Sequence, residues 1–269
     1  MRLAHAALAL QAVTAREVAK FVRQGGRLAS ALVRPLLWLV VFAAGFQNVF
    51  GVSIVPPYDT YIPYQTYIVP GLLGMVLLFN GMQSSLAMVY DREMGVMRLL
   101  LTAPLPRGYL LFCKLLAGTL LSVLQAYVFL LVAHLFGVEV PWSGWAYAAP
   151  VLVLSGMMLG ALGLLLSVYV RQLENFAGTM NFVIFPMFFI SPALYPLWKL
   201  EESGARVIHF LATWNPFTHA VEAIRFALYG QVAPLSLAIV AGCLGGFFLL
   251  AAWGYDPQRG MLKRSGKPG

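Results

Sequence analysis

Six separate stretches of this chain, near 34–54, 66–89, 109–136, 147–170, 176–197 and 233–254, are apolar for long enough to cross a lipid bilayer. A hydrocarbon core of about 30 Å is crossed by about 20 helical residues. Inside it every backbone N–H and C=O must find a partner within the protein, which leaves helices or a closed barrel. Runs of this length select helices. With 10% charged residues and a mean hydropathy of +0.79, against about 25% charged residues in soluble domains, the expected fold is all-α and polytopic with six transmembrane helices.

The formal charge of +8 does not point to nucleic acid, because the Lys and Arg residues lie in short segments between apolar runs and no polar domain carries a basic face. They report topology instead. Of the 18 basic residues, 15 fall before or at the start of span one (Arg34 counted there), in or beside 90–114, at Arg171, or in the tail; only Lys199, Arg206 and Arg225 fall on the other side. Cytoplasmic loops hold the Lys and Arg excess, so both termini and the 91–108 loop are expected in the cytoplasm of a cytoplasmic (inner) membrane. The start "MRLAHAALALQAVTA" superficially fits a signal peptide. Exporting it would carry Arg16, Lys20, Arg23, Arg27 and Arg34 outward against that rule.

The organisation expected is a cytoplasmic N-terminal segment (1–33), a six-span domain (34–254) and a basic tail (255–269). Arg16, Lys20, Arg23 and Arg27 share a helical face in the first part, opposite apolar contacts, as in an amphipathic helix lying on anionic membrane lipids. Thr14 and Glu17 have capping-box spacing. Towards the other end, "WNPFTHAVEAIRFALYG" (214–230) reads as a helix with Asn215 as N-cap, Pro216 at its first position and Gly230 just past its end. At about 21 Å, and carrying His219, Glu222 and Arg225, it is too short and too polar to span. Residues 198–230 are therefore expected to form short re-entrant helices in the outer leaflet. Pro186, Pro192 and Pro196 break the span before them.

The stretch "DREMGVMRLLLTAPLPRG" (91–108) interrupts two long apolar runs with three consecutive charges. Asp91 and Glu93 suit the positive end of a short helix, Arg92 stands between them, and Met94, Met97 and Leu101 share a face. Arg98 comes later, and Pro104 and Pro106 end the segment. A helix of this kind cannot span and should lie at the membrane boundary, presented to a partner.

Glu93, Met94 and Gly95, followed by "RLLLTAP" and a span opening "YLLFCKLLAG", resemble the first cytoplasmic loop of type-2 ABC transporter permeases. "YQTYIVPGLLGMVLL", "FPMFFISPALYPL" and "WNPFTHAVEAIRFALYG" resemble the same family in the same order, so the likeness covers roughly 14–255. The resemblance implies a permease subunit of an ATP-driven exporter, with 91–108 as a coupling helix docked on a separate ATPase subunit. It implies two ATPase copies, a second permease copy as a homodimer or a related chain, and ATP and Mg bound on the ATPase alone. Spans two and five would face each other across the dimer axis.

No nucleotide site is encoded in this chain: "GMLKRSGKPG" (260–269) has one spacer too many for a phosphate loop and Pro268 where Ser or Thr would meet magnesium. Neither metal-ligand spacing nor a nucleophile elbow is present, so no catalytic or metal site is expected. Cys113 and Cys243 stand isolated in apolar runs. Polar residues within spans, Asn80, Gln83 and Ser84 in the second and Thr179 and Asn181 in the fifth, are candidates either for a translocation path or for bonds between helices. A self-contained carrier or membrane enzyme is the alternative, and it would call for paired buried carboxylates within spans; every Asp and Glu here lies in a loop or at a span end.

Overall fold

The computed structural model describes residues 3–23, 33–41, 45, 56–60, 62–93, 106–170 and 172–255, with side chains for all of these except 3–7, 9, 20–23 and 107. The described residues form helices and no strand. In chain order the helices are α1 (Leu3–Arg23), α2 (Tyr64–Glu93), α3 (Arg107–Leu135), α4 (Trp142–Tyr169), α5 (Leu173–Phe189), α6 (Leu197–Glu202), α7 (Arg206–Trp214), α8 (Pro216–Leu228) and α9 (Pro234–Gly254), and residues 33–41 are also helical. Four of them, α2, α3, α4 and α9, are long and apolar enough to cross a membrane. The fifth apolar run contains α5, which has 17 residues. Most of the first run lies outside the described residues.

The core is built around α2. Its apolar residues are not confined to one stripe, as expected of a helix surrounded by others, and from Tyr64 to Phe79 it is buried almost without interruption. It packs on α3, α4, α5 and α8, while α4 carries α9 on its far side and α1 lies against α3. Close approach depends on small residues, since lipid offers helices no hydrophobic incentive to associate. Gly156 and Gly160 of α4 face Thr119 and Leu115 of α3 within the one chain, whereas Gly242 and Gly246 on α9 meet nothing within 4 Å.

Two local expectations are corrected. Thr14 and Glu17 do not form a capping box, because α1 starts at Leu3 and both residues lie in its interior. Asp91 and Glu93 do not open a short helix: they fall in the last turn of α2, the negative end of its dipole. Pro106 immediately precedes α3, at its N-cap position, where a missing N–H costs nothing.

Gly71 is where α2 meets the turn that follows α5. A Cβ built there would stand 2.5 Å from both Cα and O of Ala193, a backbone that cannot rotate away. Gly71→Leu is therefore expected to lower the unfolding midpoint in detergent by the equivalent of ~1–3 kcal/mol, the usual cost of overpacking. Gly178→Ala on α5, with nothing within 4 Å, should leave the midpoint unchanged or raise it, because alanine favours a helix more than glycine does.

Candidate functional site

The three consecutive charges at the end of α2 each hold a different neighbour. Asp91 is 6% exposed. Its Oδ2 accepts a hydrogen bond from Lys114 Nζ of α3 at 3.3 Å and stands 3.7 Å from an Arg16 guanidinium nitrogen of α1. A carboxylate at the end of a helix is disfavoured by the dipole; here two cations from neighbouring helices offset it. Lys114 is itself buried, so the pair is worth most as mutual compensation: removing Asp91 takes from Lys114 the carboxylate it is bonded to.

Arg92 turns the other way. Its Nη1 donates to Ser167 O at 3.0 Å and its Nη2 to Val170 O at 3.1 Å, covering carbonyls at the end of α4 that have no helical partner. Glu93 Oε1 accepts the backbone N–H of Leu173, the first residue of α5, at 3.0 Å. Gln172 provides no side-chain cap of its own, so Glu93 does from another helix what an N-cap does locally. A cation thus sits at the negative end of α4 and an anion at the positive end of α5, as the helix dipoles favour. Asp91, Arg92 and Glu93 together join the end of α2 to α1, α3, α4 and α5. Met94, Gly95, Met97, Arg98, Leu101 and Pro104 of the expected coupling segment lie outside the described residues.

At its other end α5 stops in an apolar setting with its last carbonyls to satisfy. Ile190 N–H donates to Pro186 O and Ser191 Oγ to Phe188 O. Asn215 Nδ2 donates to both Met187 O and Ile190 O at 2.7 Å, and the Tyr195 hydroxyl donates to Phe189 O. The turn beyond is held from two sides. Pro192 O accepts from Arg225 Nη2 of α8 (2.6 Å) and from the Tyr67 hydroxyl of α2 (3.2 Å), and Leu194 O accepts from the Tyr64 hydroxyl (2.8 Å).

Asn215 is the N-cap of α8, its side chain accepting from Phe217 N, with Pro216 at the first position. Gly230 follows the helix at φ +70°. Arg225 is 3% exposed, pairs with Glu222 Oε1 at 2.6 Å and lies 4.3 Å from the Tyr67 ring centroid. Burial raises the Tyr58 hydroxyl above its ordinary range, with Arg225 pulling it down less strongly. His219 Nε2 meets Thr213 O at 3.1 Å, a bond that ties α8 to the end of α7.

The polar residues within spans divide. Asn80 Nδ2 donates to Gln125 Oε1 of α3 at 2.5 Å, a bond between helices. Asn80 and Gln83 also line a cavity with Arg34, whereas Ser84 lies at the α2–α3 seam against Gly118. Thr179 returns a bond to Asn175 O within α5, and Asn181 is exposed; neither lines that cavity. The sequence did not point to Lys114 or to the position of Arg34, because both depend on how helices pack. Arg34 Cζ lies 4.0 Å from the Phe79 ring centroid. Phe79 is midway along the 30-residue α2, roughly 20 Å from either end, so Arg34, although exposed, lies level with the middle of that helix.

The chain is 28% identical over 220 residues to a putative transport permease, ycf38, of Porphyra purpurea, covering 81% of this chain and 72% of the relative. It is 24% identical over 262 residues to the inner membrane transport permease YadH of Escherichia coli K12, covering 96% and 98%. Nodulation protein J of Rhizobium leguminosarum bv. viciae matches over 104 residues at 29% identity, 38% of this chain and 39% of that protein. Residues 8–229 match the family model described as ABC-2 type transporter, and the chain belongs to that family.

Proposed function

We propose that this chain is the membrane-spanning permease subunit of an ATP-driven exporter in an inner membrane, working as two permease copies with two separate ATPase subunits that bind ATP and Mg. The junction at Asp91, Arg92 and Glu93 carries this reading. A segment that receives a push from a partner must be rigidly joined to the elements that move, and here the residues preceding 94–105 are bonded to four helices at once. A conformational change also needs a partner with different affinity for the two states; the ATPase supplies it. Both termini and 91–108 face the cytoplasm in this reading, six spans cross the membrane, and 198–230 lies in the outer leaflet as re-entrant short helices. The names of the relatives, transport permeases, support the same assignment.

Coupling is tested by purifying the tagged chain from mild detergent and identifying stoichiometric partners. An ATPase subunit is expected to copurify and to be lost from Glu93→Arg, while Gly95→Leu is expected to retain ATP hydrolysis and lose transport. Wild-type coupling in both variants would remove the role of this loop.

The ion pair beneath it gives an independent expectation. Asp91→Asn removes the carboxylate hydrogen-bonded to buried Lys114 and should destabilise the chain by up to ~3–5 kcal/mol. The double variant Asp91→Asn with Lys114→Met should recover most of that, read as the unfolding midpoint in detergent; equal loss in the single and double variants would show that the pair does not act as a unit.

A further inference from the structure

Among the described residues, no carboxylate pairs with Arg34. In the sequence no carboxylate stands between Glu17 and Asp59; α2 has none before Asp91, α3 and α4 have none, and α5 has only Glu174 in its first turn. The guanidinium rests on the Phe79 ring, which contributes ~0.5–2 kcal/mol of cation–π attraction but leaves its N–H donors available. A charge level with the middle of a spanning helix is costly in a bilayer unless it is functional or paired.

Beside it lies a cavity of ≈ 70 Å³ walled by Met75, Val76 and Phe79, with Asn80 and Gln83 supplying the polar lining. One water needs about 10–15 Å³ by this measure, so there is room for a small charged group. Val76, Asn80 and Gln83 share one face of α2 by their spacing. Asn80 spends one N–H on Gln125, and Gln83 makes no side-chain hydrogen bond among the described residues. A planar cation with a fork of donors, an amide beside it and no acid paired with it among the described residues has the chemistry of an oxyanion site.

We propose that Arg34, with Gln83 and Asn80, forms a subsite for one anionic oxygen group, a phosphate or carboxylate, on the molecule that the permease moves. This rests on the permease reading above and narrows its substrate class to molecules with an acidic head group.

The test uses the purified full chain and native mass spectrometry, counting lipid retained from phosphatidylglycerol or from phosphatidylcholine. The wild type should retain the acidic lipid in preference. Arg34→Gln should lose that preference by roughly tenfold, the scale of one charged hydrogen bond, Arg34→Lys should keep most of it, and Gln83→Leu should fall between. Displacement of the acidic lipid by millimolar inorganic phosphate would assign the site to the oxyanion alone; failure to displace it would assign a lipid-borne anion, and either result supports the subsite. No preference in the wild type, or an unchanged preference in Arg34→Gln, would overturn it. Should Arg34→Gln not elute as a folded chain, Gln83→Leu decides, and wild-type preference there overturns the subsite. An ATPase that copurifies while Arg34→Gln behaves as wild type removes the subsite and leaves the permease reading; Arg34-dependent retention in a chain with no ATPase does the reverse.

Discussion

A helix that ends inside an apolar environment must have its terminal N–H and C=O groups answered by other parts of the protein; α5 meets that constraint where it ends at Phe189, and its exposed start is capped from α2. Its first N–H is taken by Glu93 of α2. Its last carbonyls and the turn beyond are taken by Asn215 and Arg225 of α8, by Tyr64 and Tyr67 of α2, and by Ser191 and Tyr195 of the turn. Leaving even one such group unpaired in hydrocarbon costs several kcal/mol, so these contacts hold α5 in place more firmly than its apolar contacts alone.

The same bonds make α2 a strut with α5 fastened to it at top and bottom. Glu93 lies at one end of α2 and Tyr64 and Tyr67 at the other, while Gly71 lets the backbone of the turn come within reach of the hydroxyls. Arg92 adds the end of α4, and Asp91 adds α3 and α1. Movement imposed just after Glu93 would therefore be delivered to both ends of α5, to the end of α4, and to α3 and α1 at Lys114 and Arg16. Three successive charges in a chain with so few have a structural reason as well as a functional one.

Much of this organisation was legible in the sequence wherever the signal is local. The ends of α3 and α9 match the apolar runs to within a few residues, and the Asn215, Pro216 and Gly230 punctuation of α8 was readable because a cap needs only its immediate neighbours. What escaped depends on packing between distant residues. Glu93 reaches a residue 80 positions away and Arg92 residues 75 and 78 away, so their charge suggested an exposed helix start when they answer the ends of other helices. Arg34 looked like part of a basic flank because its depth is set by the helix it leans on. Thr14 and Glu17 had the spacing of a cap without its context, since α1 begins well before them.

The claim that α2 and α5 move as one is tested most directly by pulsed electron spin resonance between labels at Tyr90 on α2 and Phe182 on α5, both exposed, in the complex with its ATPase, nucleotide-free and ATP-trapped. The account predicts a narrow distance distribution that is the same in both states, and a broader one in the Glu93→Arg chain than in the wild-type chain when both are measured without the ATPase. A distance that shifts between the two states in the wild type would contradict it.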